Sequence, residues 1–276
     1  MMGIGEIISY GFVQRALLAG ILIAVISSIL GLFLVLRRLS LIGDGLAHVT
    51  FGSVAVILLI GINPLYITLA ALPLVMLSSL AILQLTRAKR IHGDAAIGII
   101  SSLGIAVGII LASLAGGYNV DLLSYLFGNI LTVNQTELWL SFIVFLIVLF
   151  TVLFFYHDLF AVTFDEELAQ TMGIKTKRIN VILLLLTAVA AVLTMKIAGI
   201  LLVSAMLILP PLTALQLSIS FRMTIIAAVC FSILSVISGI IFSFLLNLPA
   251  GGTIVICNVG LLIIIFGAKK IFPYHR

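Results

Sequence analysis

A chain of 276 residues that is 63% hydrophobic and only 8% charged cannot hide its apolar surface inside a soluble globule, so a polytopic helical membrane protein is expected, built as one domain over residues 1–276. The formal net charge of +5 sits in small basic clusters at the ends of apolar runs, a pattern that reports membrane topology and excludes a nucleic-acid footprint. Cys230 and Cys257 both fall within apolar runs, where buried free thiols are expected and a disulfide framework or cysteine-based metal site is not supported.

Residues 1–10 are mildly amphipathic and expected at the membrane surface. They do not read as a signal peptide, because Glu6 stands where basic residues belong and the apolar run that follows is too long. Apolar runs then predict about nine spans, near residues 12–36, 41–60, 65–85, 94–115, 138–155, 179–195, 199–217, 223–246 and 253–268. Between the fourth and fifth lies the apolar stretch 122–133, too short to cross and expected as a re-entrant or interfacial helix. Asp94 is expected as the N-cap of the fourth span. Gly104 and Gly108 within it form a GxxxG pattern for close helix crossing. Glu137 is expected as a solvated loop charge. Pro210 and Pro211 interrupt the seventh span, as a kink or gate whose freed carbonyls must be satisfied by neighbours or a cavity.

If the spans alternate, Arg37-Arg38, Arg87-Lys89-Arg90, Lys175-Lys177-Arg178, Arg222 and Lys269-Lys270 fall on one side. The positive-inside rule makes that side cytoplasmic, with the N-terminus outside and the C-terminus inside. Arg15 and Lys196 are the exceptions, both placed to snorkel to the outer interface.

The start of the second span carries Gly43-Asp44-Gly45-Leu46-Ala47-His48. Asp44 and His48 stand four residues apart and share one helix face. An ionisable residue at membrane depth costs about 2.5–3.5 kcal/mol on insertion scales, so it faces a cavity, a partner or an ion. A carboxylate with an imidazole suits a divalent transition metal. The pair also fits a helix cap beside a histidine satisfied by a neighbour, and spacing alone leaves both readings open.

The polar stretch 157–178 contains Thr163, Asp165, Glu166, Glu167, Leu168, Ala169, Gln170, Thr171, Met172 and Gly173. Thr163 with Glu166 matches a capping box, acids crowd the first turn, and Gly173 can end the helix. Leu168 and Met172 make a small apolar stripe, which suits either a helix resting on the membrane or one docking into a partner's groove. No zincin or Gly-x-Ser-x-Gly signature is present, and no phosphate-binding loop, so ATP hydrolysis by this chain is not expected.

Four stretches, residues 37–48, 121–131, 165–173 and 199–211, together with the spacing of the spans, resemble the membrane permease subunits of ATP-binding-cassette importers for zinc, manganese and iron. The resemblance implies an all-α, type II importer fold in the cell membrane and a homodimeric permease. It also implies cytoplasmic ABC ATPase subunits that hydrolyse ATP and an extracellular metal-binding protein that delivers the ion. It places metal coordination on Asp44 and His48 and ATPase coupling on Asp165, Glu166, Glu167, Leu168, Ala169, Met172 and Gly173. The glycine and alanine around the motif are more similar to the zinc-type branch than to the manganese-type branch, where Ile-Ser often precedes the histidine. Import of Zn2+ is therefore expected ahead of Mn2+ or Fe2+, as cargo and with no permanently bound cofactor. Two ligands per chain fall short of the four that zinc typically takes, and a two-fold axis along the pathway would double them. The rivals are a chelate permease of the same fold and a cation-coupled secondary carrier working alone.

Overall fold

The computed structural model describes residues 10–63, 66–87, 93–114, 128 and 133–271. Most of the expected re-entrant stretch 122–133 lies outside the described residues, as do residues 1–9, Lys89, Arg90, His92, Asp121 and His275. The described part is all-helical, without a strand. Its long helices are α1 (Gly11–Leu36), α2 (Ile42–Ile60), α3 (Ile67–Arg87), α4 (Gly93–Leu114) and α5 (Gln135–Phe154). Two short helices follow, α6 (Tyr156–Phe164) and α7 (Glu166–Thr171). Then come α8 (Thr176–Ala198), a 3₁₀ turn (Ile200–Leu202), α9 (Val203–Leu215), α10 (Phe221–Leu246) and α11 (Ala250–Ile271).

Among the described residues, 8 helices are long and apolar enough to cross a bilayer, and α9 makes up the remaining expected span. Its 13 residues rise only about 20 Å at 1.5 Å each, short of a hydrocarbon core of about 30 Å. It is broken at its start, where Gly199 has a positive φ of 86° and leads into the 3₁₀ turn. Such irregular backbone is tolerated at membrane depth only inside protein. Val203, Met206, Leu207, Pro210, Pro211, Thr213 and Ala214 are accordingly buried. Pro210 and Pro211 do not end the helix, which runs on to Leu215. Pro211 has no N–H to offer the Leu207 carbonyl. That carbonyl lies against Gly31 of α1, so closely that a Cβ on Gly31 would overlap it.

Burial separates a centre from a periphery. The most apolar windows of α1, α2 and α8 are 72%, 72% and 67% buried, whereas those of α4, α5 and α11 are 22%, 28% and 28% buried. The outer faces carry Ile99, Leu103 and Ile110 on α4, Phe150 and Phe154 on α5, and Ile256 and Ile263 on α11, which are lipid-facing surfaces in a bilayer. Cys230 belongs to this outer surface and is exposed, while Cys257 is half-buried; both are free thiols. The expectation of a buried thiol fails for Cys230, because among the described residues no helix covers its face of α10.

At one end of the bundle, Arg37 closes α1, Lys269 on α11 donates to Ser218 Oγ at 3.3 Å, and Arg222 lies 5.6 Å over the Tyr156 ring. Tyr156, Phe160 and Phe164, one helical turn apart on α6, surround Phe221 at the start of α10. Of the basic residues expected on one side, Arg37, Arg222 and Lys269 thus lie at this end of the bundle. At the other end Lys196, on the last turn of α8, does not simply snorkel. It lies 3.2 Å from Glu137 Oε1, and both side chains are largely buried. Glu137 is therefore no solvated loop charge. Its second oxygen accepts from the Asn134 N–H while Asn134 Oδ1 accepts from the Glu137 N–H, a reciprocal cap at the start of α5.

Candidate functional site

The turn from α1 to α2 places the Asp44–His48 motif. Arg38 N–H donates to Val35 and Leu39 N–H to Leu34, the bonding pattern of a Schellman end. Arg38 occupies the left-handed position with φ 58°, where glycine is usual and a side chain costs about 1 kcal/mol. Ile42 N–H then donates to Leu39 and Gly45 N–H to Leu41, so α2 starts directly from a hydrogen-bonded turn.

Asp44 lies in the first turn of α2, where the helix dipole favours a carboxylate. The cap position is Leu41, and the partner of Asp44 is His48, whose Nε2 stands 3.5 Å from Asp44 Oδ2. That separation is too long for a strong hydrogen bond. The neighbours Ile42, Gly43, Leu46, Ala47, Val49 and Thr50 are buried, whereas the Asp44 side chain is 47% and that of His48 22% exposed. The pair is thus the accessible polar edge of a helix start whose neighbouring residues are buried.

Glycines bring the neighbours in on both sides. A Cβ on Gly43 would come 2.7 Å from Leu207 of α9, and one on Gly45 2.6 Å from Ile97 of α4. On α4, a Cβ on Gly104 would meet the backbone of α2, 2.8 Å from the His48 carbonyl oxygen and 2.7 Å from Val49 Cα. Gly108 lies against the Phe51 ring. The GxxxG pattern of α4 is the seam on which α2 rests, as its spacing predicts. Among the described residues no group of three or more His, Cys, Asp or Glu side chains could hold a metal, and those residues of one chain bring two donors together here.

The second predicted region is the segment around α7. The expected capping box is corrected: Thr163 is buried inside α6 and donates to the Leu159 carbonyl at 2.6 Å, and Asp165 is the cap, accepting from Leu168 N–H at 2.9 Å. The reason is that α6 continues to Phe164, one residue past the position a Thr163 cap would need. Asp94 likewise stands inside the first turn of α4, which opens at Gly93, and is not its N-cap. Gly173, with φ 85°, ends α7 in a Schellman turn, Gly173 N–H to Gln170 and Ile174 N–H to Ala169. Ala169 is buried and Glu166 half-buried toward the bundle, while Glu167 is exposed and Leu168 and Met172 are 57% and 69% exposed.

Sequence reasoning missed the inward partners of Glu166. Its Oε2 accepts from Arg37 Nη2 at 3.2 Å, and its Oε1 from Asn180 Nδ2 at 2.8 Å. Burial pushes the Arg37 guanidinium down from its ordinary value, and the Glu166 carboxylate opposes that shift. The lone basic pair after α1 and the acidic α7 were visible, but nothing in the spacing joins residues so far apart in the chain.

The model of the ABC 3 transport family matches residues 9–269 of this chain. The chain belongs to that family. It is 35% identical over 91% of its length to the manganese transport system membrane protein MntC of Halalkalibacterium halodurans, of which 85% is covered. It is also 34% identical over 90% of its length to the high-affinity zinc uptake system membrane protein ZnuB of Haemophilus influenzae, covering 94% of that protein. Among solved structures, PsaBC from Streptococcus pneumoniae in complex with Fab matches with a TM-score of 0.85 and 30% identity, covering 96% of this chain and 95% of that one. The ABC 3 family assignment makes the chain a multi-pass permease of a metal ABC importer in the cell membrane, with the all-helical fold expected from its apolar runs.

Proposed function

We propose that this permease imports a divalent transition metal ion, zinc foremost, through a transient site built from Asp44 and His48 of two copies of the chain. The observation that carries the reading is the Asp44–His48 edge: two metal-type donors 3.5 Å apart, accessible on a helix whose other nearby residues are buried. One chain supplies half of a four-donor shell, and a two-fold axis through this edge supplies the rest. Incomplete sites in each half suit a pathway, where the ion must be able to leave.

In this reading the basic end of the bundle is cytoplasmic and the N-terminus lies outside. Asp165, Glu167, Leu168, Met172 and Gly173 form the outer face of the coupling segment and dock on a separate ATPase, with Leu168 and Met172 as anchors. Ala169 and Glu166 hold the inner face. A metal-binding protein on the non-cytoplasmic side delivers the ion. Pro210 and Pro211, on the helix beside Gly31 and Gly43, belong to the moving wall of the path. Manganese is the second reading, supported by the names of MntC and of the manganese import permease ScaB of Streptococcus gordonii, 33% identical over 93% of this chain.

The test is uptake of radioactive zinc and manganese by cells expressing the wild type, Asp44→Ala and His48→Ala at equal membrane levels. Both variants are expected to lose at least nine-tenths of uptake of whichever metal the wild type prefers, about 1.4 kcal/mol or more by the tenfold rule. Undiminished uptake in both would return the pair to a structural role.

A further inference from the structure

The coupling segment has two faces, and only one is free for a partner. Leu168 and Met172 point away from the bundle, whereas Ala169 is buried and Glu166 half-buried on the opposite side. Both carboxylate oxygens of Glu166 are engaged inside the permease, one by Arg37 and one by Asn180. The Arg37 side chain is only 10% exposed although it stands at the end of a membrane helix. The Asn180 amide is committed in one orientation. Its Nδ2 donates to Glu166, and its Oδ1 is buried without a donor; flipping the amide would set that oxygen against the carboxylate.

Arg37 is also the last residue before the bonded turn that starts α2. Backbone bonds from Arg38, Leu39, Ile42 and Gly45 order the short turn between the Arg37 anchor and Asp44. A cavity of about 470 Å³, lined by Arg37, Arg38, Ile42, Ile97, Glu166 and Asn180 among others, separates the coupling segment from the start of α2. Glu166 reaches Arg37 and Asn180 at its edge, while Gln170 on the same helix donates to Thr176 at the start of α8. Of these contacts, the Glu166–Arg37 pair is the one that ties α7 to the turn leading into α2.

We propose that Arg37, Glu166 and Asn180 form a latch through which movement of the coupling segment repositions Asp44, so that Glu166 is a positioning residue for the metal motif and no part of the surface offered to the ATPase. This rests on the proposed metal-import reading. It assigns Glu166 away from the docking role its place in an acidic helix suggests.

The test uses the whole transporter, permease with its ATPase and its metal-binding protein, in proteoliposomes, with uptake of zinc or manganese and ATP hydrolysis measured on the same vesicles. Glu166→Gln keeps the size and removes the charge that holds Arg37. It is expected to retain the ATPase subunit on purification and to hydrolyse ATP within about twofold of wild type. Metal carried per ATP is expected to fall at least tenfold. The exchanged pair Arg37→Glu with Glu166→Arg restores the ionic contact and is expected to recover part of that loss. Should Glu166→Gln fail to reach the membrane, Asn180→Asp, which sets a second carboxylate against Glu166, provides the same readout.

Loss of the ATPase subunit from the Glu166→Gln complex would overturn the proposal by returning Glu166 to the docking face. Unchanged metal carried per ATP would overturn it by making the contact a passive brace. If Asp44→Ala in the same vesicles carries metal normally, the metal-site reading itself fails. If Asp44→Ala is inactive while Glu166→Gln is normal, only the latch fails.

Discussion

Lys196 and Glu137 set the clearest energetic demand made by single residues in this fold. Their charged groups are 3.2 Å apart with side chains 19% and 10% exposed, at the opposite end of the bundle from the coupling segment. Replacing one member of a buried ion pair leaves the other without a counter-charge, which costs about 3–5 kcal/mol. Lys196→Met is expected to show this as a markedly lower midpoint of thermal unfolding of the purified protein in detergent. Glu137→Gln should cost less, because the amide still accepts from the Asn134 N–H and preserves half of the α5 cap. Equal losses in the two variants would mean that the charge pair carries the stabilisation and that the retained Asn134 contact adds nothing to it. Asp44 and His48 differ in kind. Their partial exposure and 3.5 Å separation leave them weakly bound to each other, so Asp44→Asn is expected to leave the unfolding midpoint within a few degrees of wild type while abolishing uptake.

At the scale of elements, α7 depends on its ends. Six residues cannot hold a helix alone, and the Asp165 cap and the Gly173 turn supply what length does not. Asp165→Ala is expected to cost about 1 kcal/mol and to weaken capture of the ATPase subunit, read as less ATPase recovered per permease on co-purification. Long elements were readable from the sequence because apolar runs near the bilayer thickness admit few structures besides a helix. The shared face of Asp44 and His48 followed from helical period alone. Three features escaped for identifiable reasons. The Thr163 box failed because local patterns cannot say that α6 runs one residue further. The prolines of α9 read as an interruption because the chain alone shows a lost N–H but not Gly31, whose missing side chain lets α1 close on the freed Leu207 carbonyl. The Arg37–Glu166 and Lys196–Glu137 pairs join helices far apart in sequence, and only packing brings them together.

The whole molecule is asymmetric in its burial. Central α1, α2 and α8 are mostly enclosed, yet α2 keeps its Asp44–His48 edge open. An accessible carboxylate on a membrane helix requires polar company, and a second copy of the chain meets that requirement without further residues. In a background with Cys230 and Cys257 replaced by serine, Asp44→Cys is expected to cross-link the permease to itself on mild oxidation in native membranes. A cysteine on the lipid-facing surface of α4, such as Ile110→Cys, should not. Cross-linking at Ile110 and none at Asp44 would place the two-fold axis elsewhere.

The glycine seam between α2 and α4 also bears on how inheritance of function would look in this gene. Gly104 donates nothing to a metal, yet its Cα faces the backbone of His48 and Val49 without space for a methyl group. Starvation-resistant and starvation-sensitive alleles collected without knowledge of the fold would place Gly104 in the same phenotypic class as the two proposed ligands. Only the abundance of the variant in the membrane would separate a lost donor from a displaced one.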